Sequence, residues 1–280
     1  MKRLGLVLLA GFVVLAVFAP ELSPSPTEST DIVLTRFLPP GTVDEFGQIH
    51  VLGTDRLGRD VWSRLAHGAR ISLVVGALAT LVSLAVGIAV GASAAFLSGF
   101  PCLLLLGATD FALAVPRVVL LLLLAALWQP GAVLVVLTLG LTGWMPLARL
   151  VYAETLSQRA RPYAAAAAAL GGSRRHLFFR HVLPNIATPI LAAATLGIGN
   201  AITLEAGLSF LGLGVQPPTP SWGSLVASGR ETIVNAPWVG LAPGIALVLV
   251  VAGCSMVADG VSGPVHSNRN DLAWPGAKPN

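Results

Sequence analysis

The sequence predicts an all-α protein that crosses a membrane with about six helices. Three observations carry this. Hydrophobic residues make up 55% of the 280 and charged residues 11%, where a soluble domain carries about 25% charged residues. Mean hydropathy is +0.79. The apolar residues fall in long continuous runs, without the dyad alternation of a membrane barrel. A soluble enzyme of this composition would lack the polar surface to cover itself, and a disordered chain needs the opposite balance.

The hydrocarbon core is about 30 Å thick and a helix rises about 1.5 Å per residue, so a span takes about 20 apolar residues. Leu4–Ala19, Ile71–Leu97, Cys102–Trp128, Ala132–Val151, Ile186–Leu208 and Trp238–Ala258 meet or approach this. The first follows Lys2-Arg3, so it also reads as a signal peptide; Pro20 after Ala19 disfavours cleavage, and a retained helix over 1–20 is expected. With the N-terminus in the cytoplasm, both ends lie inside. Cytoplasmic segments then hold ten basic residues and outer segments six, five of those in one long loop, as the positive-inside rule asks.

The organisation that follows has an extracytoplasmic loop over 21–70 and a five-helix domain over 71–258. That domain includes a cytoplasmic loop over 152–185 and an outer loop over 209–237, and a polar cytoplasmic tail covers 259–280. The piece Ser23-Pro-Ser-Pro opens the first loop. The run Gln216-Pro-Pro-Thr-Pro-Ser-Trp-Gly223 predicts a rigid extended segment in the last.

The cytoplasmic loop is the most informative segment. Pro162 can open a helix, and the alanine run 164–169 is the best helix former available. Gly171-Gly172 breaks it, Ser173 caps a second basic helix with Arg174 and Arg175, and Pro184 ends that helix before the next span. A helix of small side chains lets a partner approach its backbone closely. A basic interfacial helix can equally anchor to lipid headgroups. The residues alone leave docking and anchoring evenly balanced.

The run Tyr163-Ala-Ala-Ala-Ala-Ala-Ala-Leu170-Gly171-Gly-Ser173, with Leu183-Pro184 after it, resembles the EAA loop of ABC importer permeases. Ala165, Ala166, Ala167 and Gly171 stand in its register, with Ala165 in place of the glutamate that names the loop. Two further segments resemble the C-type permease of the dipeptide/oligopeptide/nickel branch. One runs through Gly53, Thr54, Asp55, Gly58, Arg59 and Asp60; the other runs from Leu208 to Gly223 and holds Gln216, Pro217, Pro218, Trp222 and Gly223. The resemblance covers about Val51 to Ala258 and implies a type I importer permease fold.

It also implies a role. The chain forms half of a translocation path for peptides, or for a related solute such as nickel, haem or glutathione, delivered by an extracytoplasmic binding protein. A second homologous permease supplies the other half. Two ABC ATPase subunits dock on the cytoplasmic loop and bind the ATP and Mg, so this chain needs no cofactor of its own. A P-loop requires an internal Gly-Lys-Ser/Thr, and the only lysines are Lys2 and Lys278.

Ionisable residues within spans cost roughly 2.5–3.5 kcal/mol each at the centre. Asp110, Arg117 and Glu205 are the candidates, read either as lining the path or as pairing between helices. Seven residues separate Asp110 from Arg117, so an unbroken helix puts them on one face two turns apart, unless Pro116 kinks it. In the family the position of Arg117 holds a small or hydroxyl residue. Gly87 and Gly91 form a GxxxG suited to close helix packing.

The histidines all lie outside the spans, which removes the general base an intramembrane serine protease needs. His50, Asp55 and Asp60 are better explained as charge on a flexible loop than as a metal site. Cys102 and Cys254 form no metal spacing, and nothing marks a nucleic-acid surface. The competing function is a self-sufficient secondary transporter or channel, with the three buried charges binding a coupling ion.

Overall fold

A computed structural model describes residues 1–22 and 31–262. The Ser23-Pro-Ser-Pro piece and the tail beyond Ser262 lie outside the described residues. In order the elements are α1 (Lys2–Val17), α2 (Ala19–Leu22), β1 (Thr42–Val43), β2 (Ile49–His50), α3 (Val61–Phe96), α4 (Phe100–Ala114) and α5 (Arg117–Leu127). They continue with α6 (Ala132–Arg159), α7 (Pro162–Ala169), α8 (Arg174–Leu177), a π-helical turn over Phe178–Val182, α9 (Leu183–Phe210), α10 (Trp222–Thr232) and α11 (Trp238–Ser262).

Among the described residues, four helical stretches are long and apolar enough to cross a membrane: Val61–Phe96, Ala132–Arg159, Arg174–Phe210 and Trp238–Ser262. A fifth span results if α4 and α5 are counted as one bent pair. The first expected span, α1, has 16 residues, about 24 Å at 1.5 Å per residue. Its Gly5 faces the Gly253 carbonyl and Met256 Cβ of α11, each 2.8 Å from where a Cβ would stand. Phe12 of α1 meets Trp222 edge to face at 5.4 Å.

Three boundaries differ from the sequence reading, each for a local reason. The helix expected from Ile71 starts at Val61, because the Asp60 side chain caps it, accepting from Ser63 N at 2.6 Å. The expected third span is broken by 78° between α4 and α5. Val115, ahead of Pro116, is extended, as the ring of a following proline favours. Asp110 and Arg117 therefore sit on different helices. Pro184 does not end a helix either. Leu183 N bonds back to Phe178 O, and this wide turn carries the helix past the proline, so residues 174–210 run as one rod.

The core is built where small residues let helices close up. A Cβ on Gly87 would stand 2.7 Å from Leu147 Cβ, and one on Gly91 would strike the Ala148 carbonyl. The GxxxG thus seats α3 against α6, as ordinary packing within the bundle. At one end of the bundle, Leu65, Ala69, Ile202, Trp222, Leu225 and Val250 form one cluster. At the other end, Ala92, Val151, Ala164, Phe178, Val182 and Ile186 form another, the inner core of the expected topology.

Candidate functional site

The segment after α6 folds as its residues dictate. Pro162 opens α7, and Gly171 ends it in the left-handed region at φ +81°. Gly172 N donates to Ala167 O at 3.1 Å, which closes the helix end. Ser173 Oγ then caps α8, accepting from His176 N at 3.2 Å. The alanine run has two faces. Ala164 is buried and Ala167 packs with it against the inner core, while Ala165 and Ala166 are exposed. Tyr163 OH donates to Gln158 Oε1 at 2.9 Å. Leu170 stands 90% exposed at the tip, an apolar side chain with nothing of its own chain to cover it. Arg174 and Arg175 are exposed beside it, and Leu183 and Pro184 open α9 behind.

The motif around Gly53 is no flexible loop. His50, Thr54 and Asp55 are buried. Asp55 Oδ1 accepts from Leu57 N (2.8 Å) and Arg59 N (3.0 Å), and its Oδ2 pairs with Arg59 (2.8 Å) and Arg64 (2.6 Å). Gly58 turns the chain at φ +71°. Asp44 and Gly47 repeat the same Asp-x-x-Gly turn: Asp44 Oδ1 accepts from Phe46 N (2.9 Å) and Gln48 N (2.7 Å), and Gly47 has φ +81°. Burial pushes the Asp44 carboxyl up, but those two amides and the His50 ring outweigh it and hold it below its ordinary value.

His50 lies between two carboxylates, Nδ1 at 2.9 Å from Asp60 and Nε2 at 3.4 Å from Asp44. The cap is pinned to the bundle by Trp238 Nε1, which donates to Thr54 O at 3.2 Å, and by the Arg56–Glu231 pair at 2.7 Å. A Cβ on Gly53 would stand 2.5 Å from Leu38 O, and its φ is +72°. Loop charge therefore serves packing here. Among the described residues no group of His, Cys, Asp and Glu is arranged to hold a metal ion.

The motif around Gln216 is also more ordered than its prolines suggest. Gln216 Nε2 donates to Gly212 O and Gly214 O, each at 3.1 Å, and a cis peptide joins Pro217 to Pro218. The extended stretch is short. Ser221 caps α10 in a capping box with Ser224, so the loop holds an eleven-residue helix. A Cβ on Gly223 would stand 2.6 Å from Ala206 Cα, so α10 lies directly on α9.

Glu205 is fully enclosed beneath this loop. Ser72 Oγ donates to its Oε2 (3.2 Å), and Ser209 Oγ (2.7 Å) and Ser221 Oγ (2.8 Å) donate to Oε1. Ser72 and Ser209 in turn accept from Trp222 N (3.1 Å) and Val215 N (3.3 Å). One carboxylate thus joins α3, α9 and α10. The serines were missed from sequence because Ser72 lies 133 residues away; Ser209 and Ser221 stood inside the quoted motif. Asp110 pairs with Arg149 of α6, both half exposed. Arg117 is the first residue of α5, and its side chain lies outside the described set.

A cleft of about 290 Å³ opens between α3, α6 and α9, lined by Thr80, Ser83, Leu139, Pro146, Leu196 and Asn200 among others. None of the described side chains that line it is charged. The same rod carries the segment after α7 at one end, this cleft at its middle and Glu205 near its other end.

Residues 87–265 match the family described as binding-protein-dependent transport system inner membrane component. A di/tripeptide transport system permease protein from Pseudomonas aeruginosa is 38% identical over 259 residues, covering 92% of this chain and 84% of the relative. A dipeptide transport system permease protein from Alkalihalophilus pseudofirmus is 35% identical over 257 residues, covering 92% and 82%. With its apolar helical bundle and these relatives, the chain belongs to the family of binding-protein-dependent transport inner membrane components, the non-catalytic permease subunits of ABC importers.

Proposed function

We propose that the chain is one half of the translocation path of an ATP-driven importer of dipeptides or oligopeptides. Both relatives above are named for di- or tripeptide transport. A second homologous permease forms the other half, and an extracytoplasmic binding protein delivers the solute to the outer cap and α10. Two ATPase subunits bind ATP and Mg and dock on the loop over 152–185. Both termini are then cytoplasmic, with 21–70 outside.

One observation carries the reading: the rod from Arg174 to Phe210. It has 37 residues, about 55 Å at 1.5 Å per residue. A push at the docking loop is passed along it to the cleft and on to the outer loop, which suits rocking between outward-open and inward-open packings. The exposed Ala165, Ala166 and Leu170 form the docking face, with Tyr163, Arg174 and Arg175 at its edges. Asp110 on α4 and Arg117 on α5 are assigned to the proposed path. Glu205, sealed by serines, supports the outer loop instead.

The test is purification of the tagged chain from its native membrane, with identification of what accompanies it and uptake of a labelled dipeptide by vesicles. A second permease, P-loop ATPases and ATP-dependent uptake are expected. Leu170→Asp and Ala166→Trp should shed the ATPases while the two permeases stay together. A chain that comes out alone and moves dipeptide on an ion gradient without ATP would sink the reading.

A further inference from the structure

A second cavity, of about 450 Å³, lies away from the cleft, between the inner half of α3 and the segment 174–179. Its floor is a row of small exposed residues, Ala85, Ala89 and Ser93, spaced four apart on one helix face. Phe96 and Phe178 meet edge to face at 6.2 Å and wall its cytoplasmic end. Phe179 stands beside them, 65% exposed. Arg174 and Arg175 line the mouth. Neither has a carboxylate within ion-pair distance among the described residues.

We propose that this groove holds an anionic phospholipid of the cytoplasmic leaflet, one acyl chain along the small-residue floor and the phosphate between Arg174 and Arg175. The proposal rests on the cytoplasmic placement of 152–185 given above and adds a ligand which that reading does not require. Two features select this occupant. The floor from Ala85 to Phe96 is twelve residues, eleven steps, about 16 Å along the axis, close to half of the roughly 30 Å hydrocarbon core. The cations stand at one end of that length only, where a headgroup would lie. Basic pockets between transmembrane helices on the cytoplasmic side suit such headgroups. A partner helix on the small-residue floor would match the apolar surface but answer the arginines only with an acid placed at that end; a phospholipid answers both with one molecule.

The groove shares Arg174 and Arg175 with the docking segment, so lipid occupancy would bear on coupling. A phosphate held there fixes the start of the rod against α3. Loss of the lipid would leave α8 tied to the bundle chiefly through Leu177 and Phe178, which belong to the inner core.

The experiment uses the intact transporter reconstituted in phosphatidylcholine vesicles with or without phosphatidylglycerol. A benzophenone amino acid at position 89 is irradiated, and the mass added to this chain is read. Phosphatidylglycerol attached to the chain is the expected result. Attachment to the second permease, or to any protein, overturns the proposal, as does no preference for the anionic lipid. In the Arg174→Gln/Arg175→Gln double variant the preference for phosphatidylglycerol over phosphatidylcholine should fall roughly 30-fold, since each surface arginine contributes a few-fold or more. An unchanged preference overturns the headgroup assignment. Ala89→Trp, which fills the floor, should lose the retained lipid; if that variant fails to assemble, the photoadduct and the arginine variant still decide. The ATPase subunits are followed in the same samples, so a failure of the docking reading shows as their absence with the lipid adduct intact.

Discussion

Glu205 sits where an apolar side chain is the usual occupant, and three serine hydroxyls make the site tolerable. Glu205→Ala leaves those hydroxyls without their acceptor. Each buried unsatisfied group costs about 1–3 kcal/mol, so a loss of about 3 kcal/mol is expected, read as a lower unfolding temperature of the purified complex. Glu205→Gln keeps an acceptor oxygen for Ser209 and Ser221 and should assemble almost normally. Equal stability of the alanine and glutamine variants would refute the support role.

Asp44 makes a pH prediction at the same scale. Its folded value lies below the ordinary carboxyl value, so the ionised form favours the folded cap. That stabilisation is present above about pH 4, the ordinary carboxyl range, and is lost as pH falls through the lower folded value. Proteolysis of the outer cap should therefore accelerate in that acid window, and Asp44→Asn should cut faster at neutral pH and lose the acid step.

Helices were legible from sequence wherever their signal is local. Pro162, the alanine run, Gly171 and Ser173 specify α7 and α8 within a few residues of each other, and the structure places them so. The apolar runs marked α3, α6, α9 and α11 for a similar reason, since length and hydropathy are properties of one segment. What failed depended on neighbours. Nothing near Pro184 announces the π-helical turn that carries the rod past it. The outer loop read as extended because its prolines are visible, whereas α10 is held by Ser221, Ser224 and a carboxylate on another helix. The two Asp-x-x-Gly turns were in plain view, but His50 meets Asp44 only once β1 and β2 pair.

The proposed docking segment allows a sharper test than the sequence offered, because its two faces are now distinct. Ala164→Trp should disrupt the inner core and lower yield of the chain, whereas Ala166→Trp should leave the permease folded and cost it the ATPases. The same result from both substitutions would mean that α7 presents no separate docking face.

At the scale of the whole molecule, the rod over 174–210 links distant parts of the subunit. Its first residues follow α7, and near its far end Glu205 accepts from Ser72 of α3 and from Ser221 at the start of α10. Between them lies the cleft, where Asn200 is exposed on the rod and Thr80 and Ser83 face it from α3. If the rod rocks as a unit, a residue at the cleft must change its exposure when the ATPases close, although it touches neither of them. Asn200→Cys in a Cys102→Ser background tests this, because the remaining Cys254 is buried and serves as an unreactive control. The rate of labelling by a membrane-impermeant thiol reagent from the outer side should differ severalfold between nucleotide-free and vanadate-trapped transporter. Leu170→Asp should remove the difference by uncoupling the rod from the ATPases. A labelling rate indifferent to nucleotide, in a complex that still imports dipeptide, would mean that the solute passes by another face of the subunit.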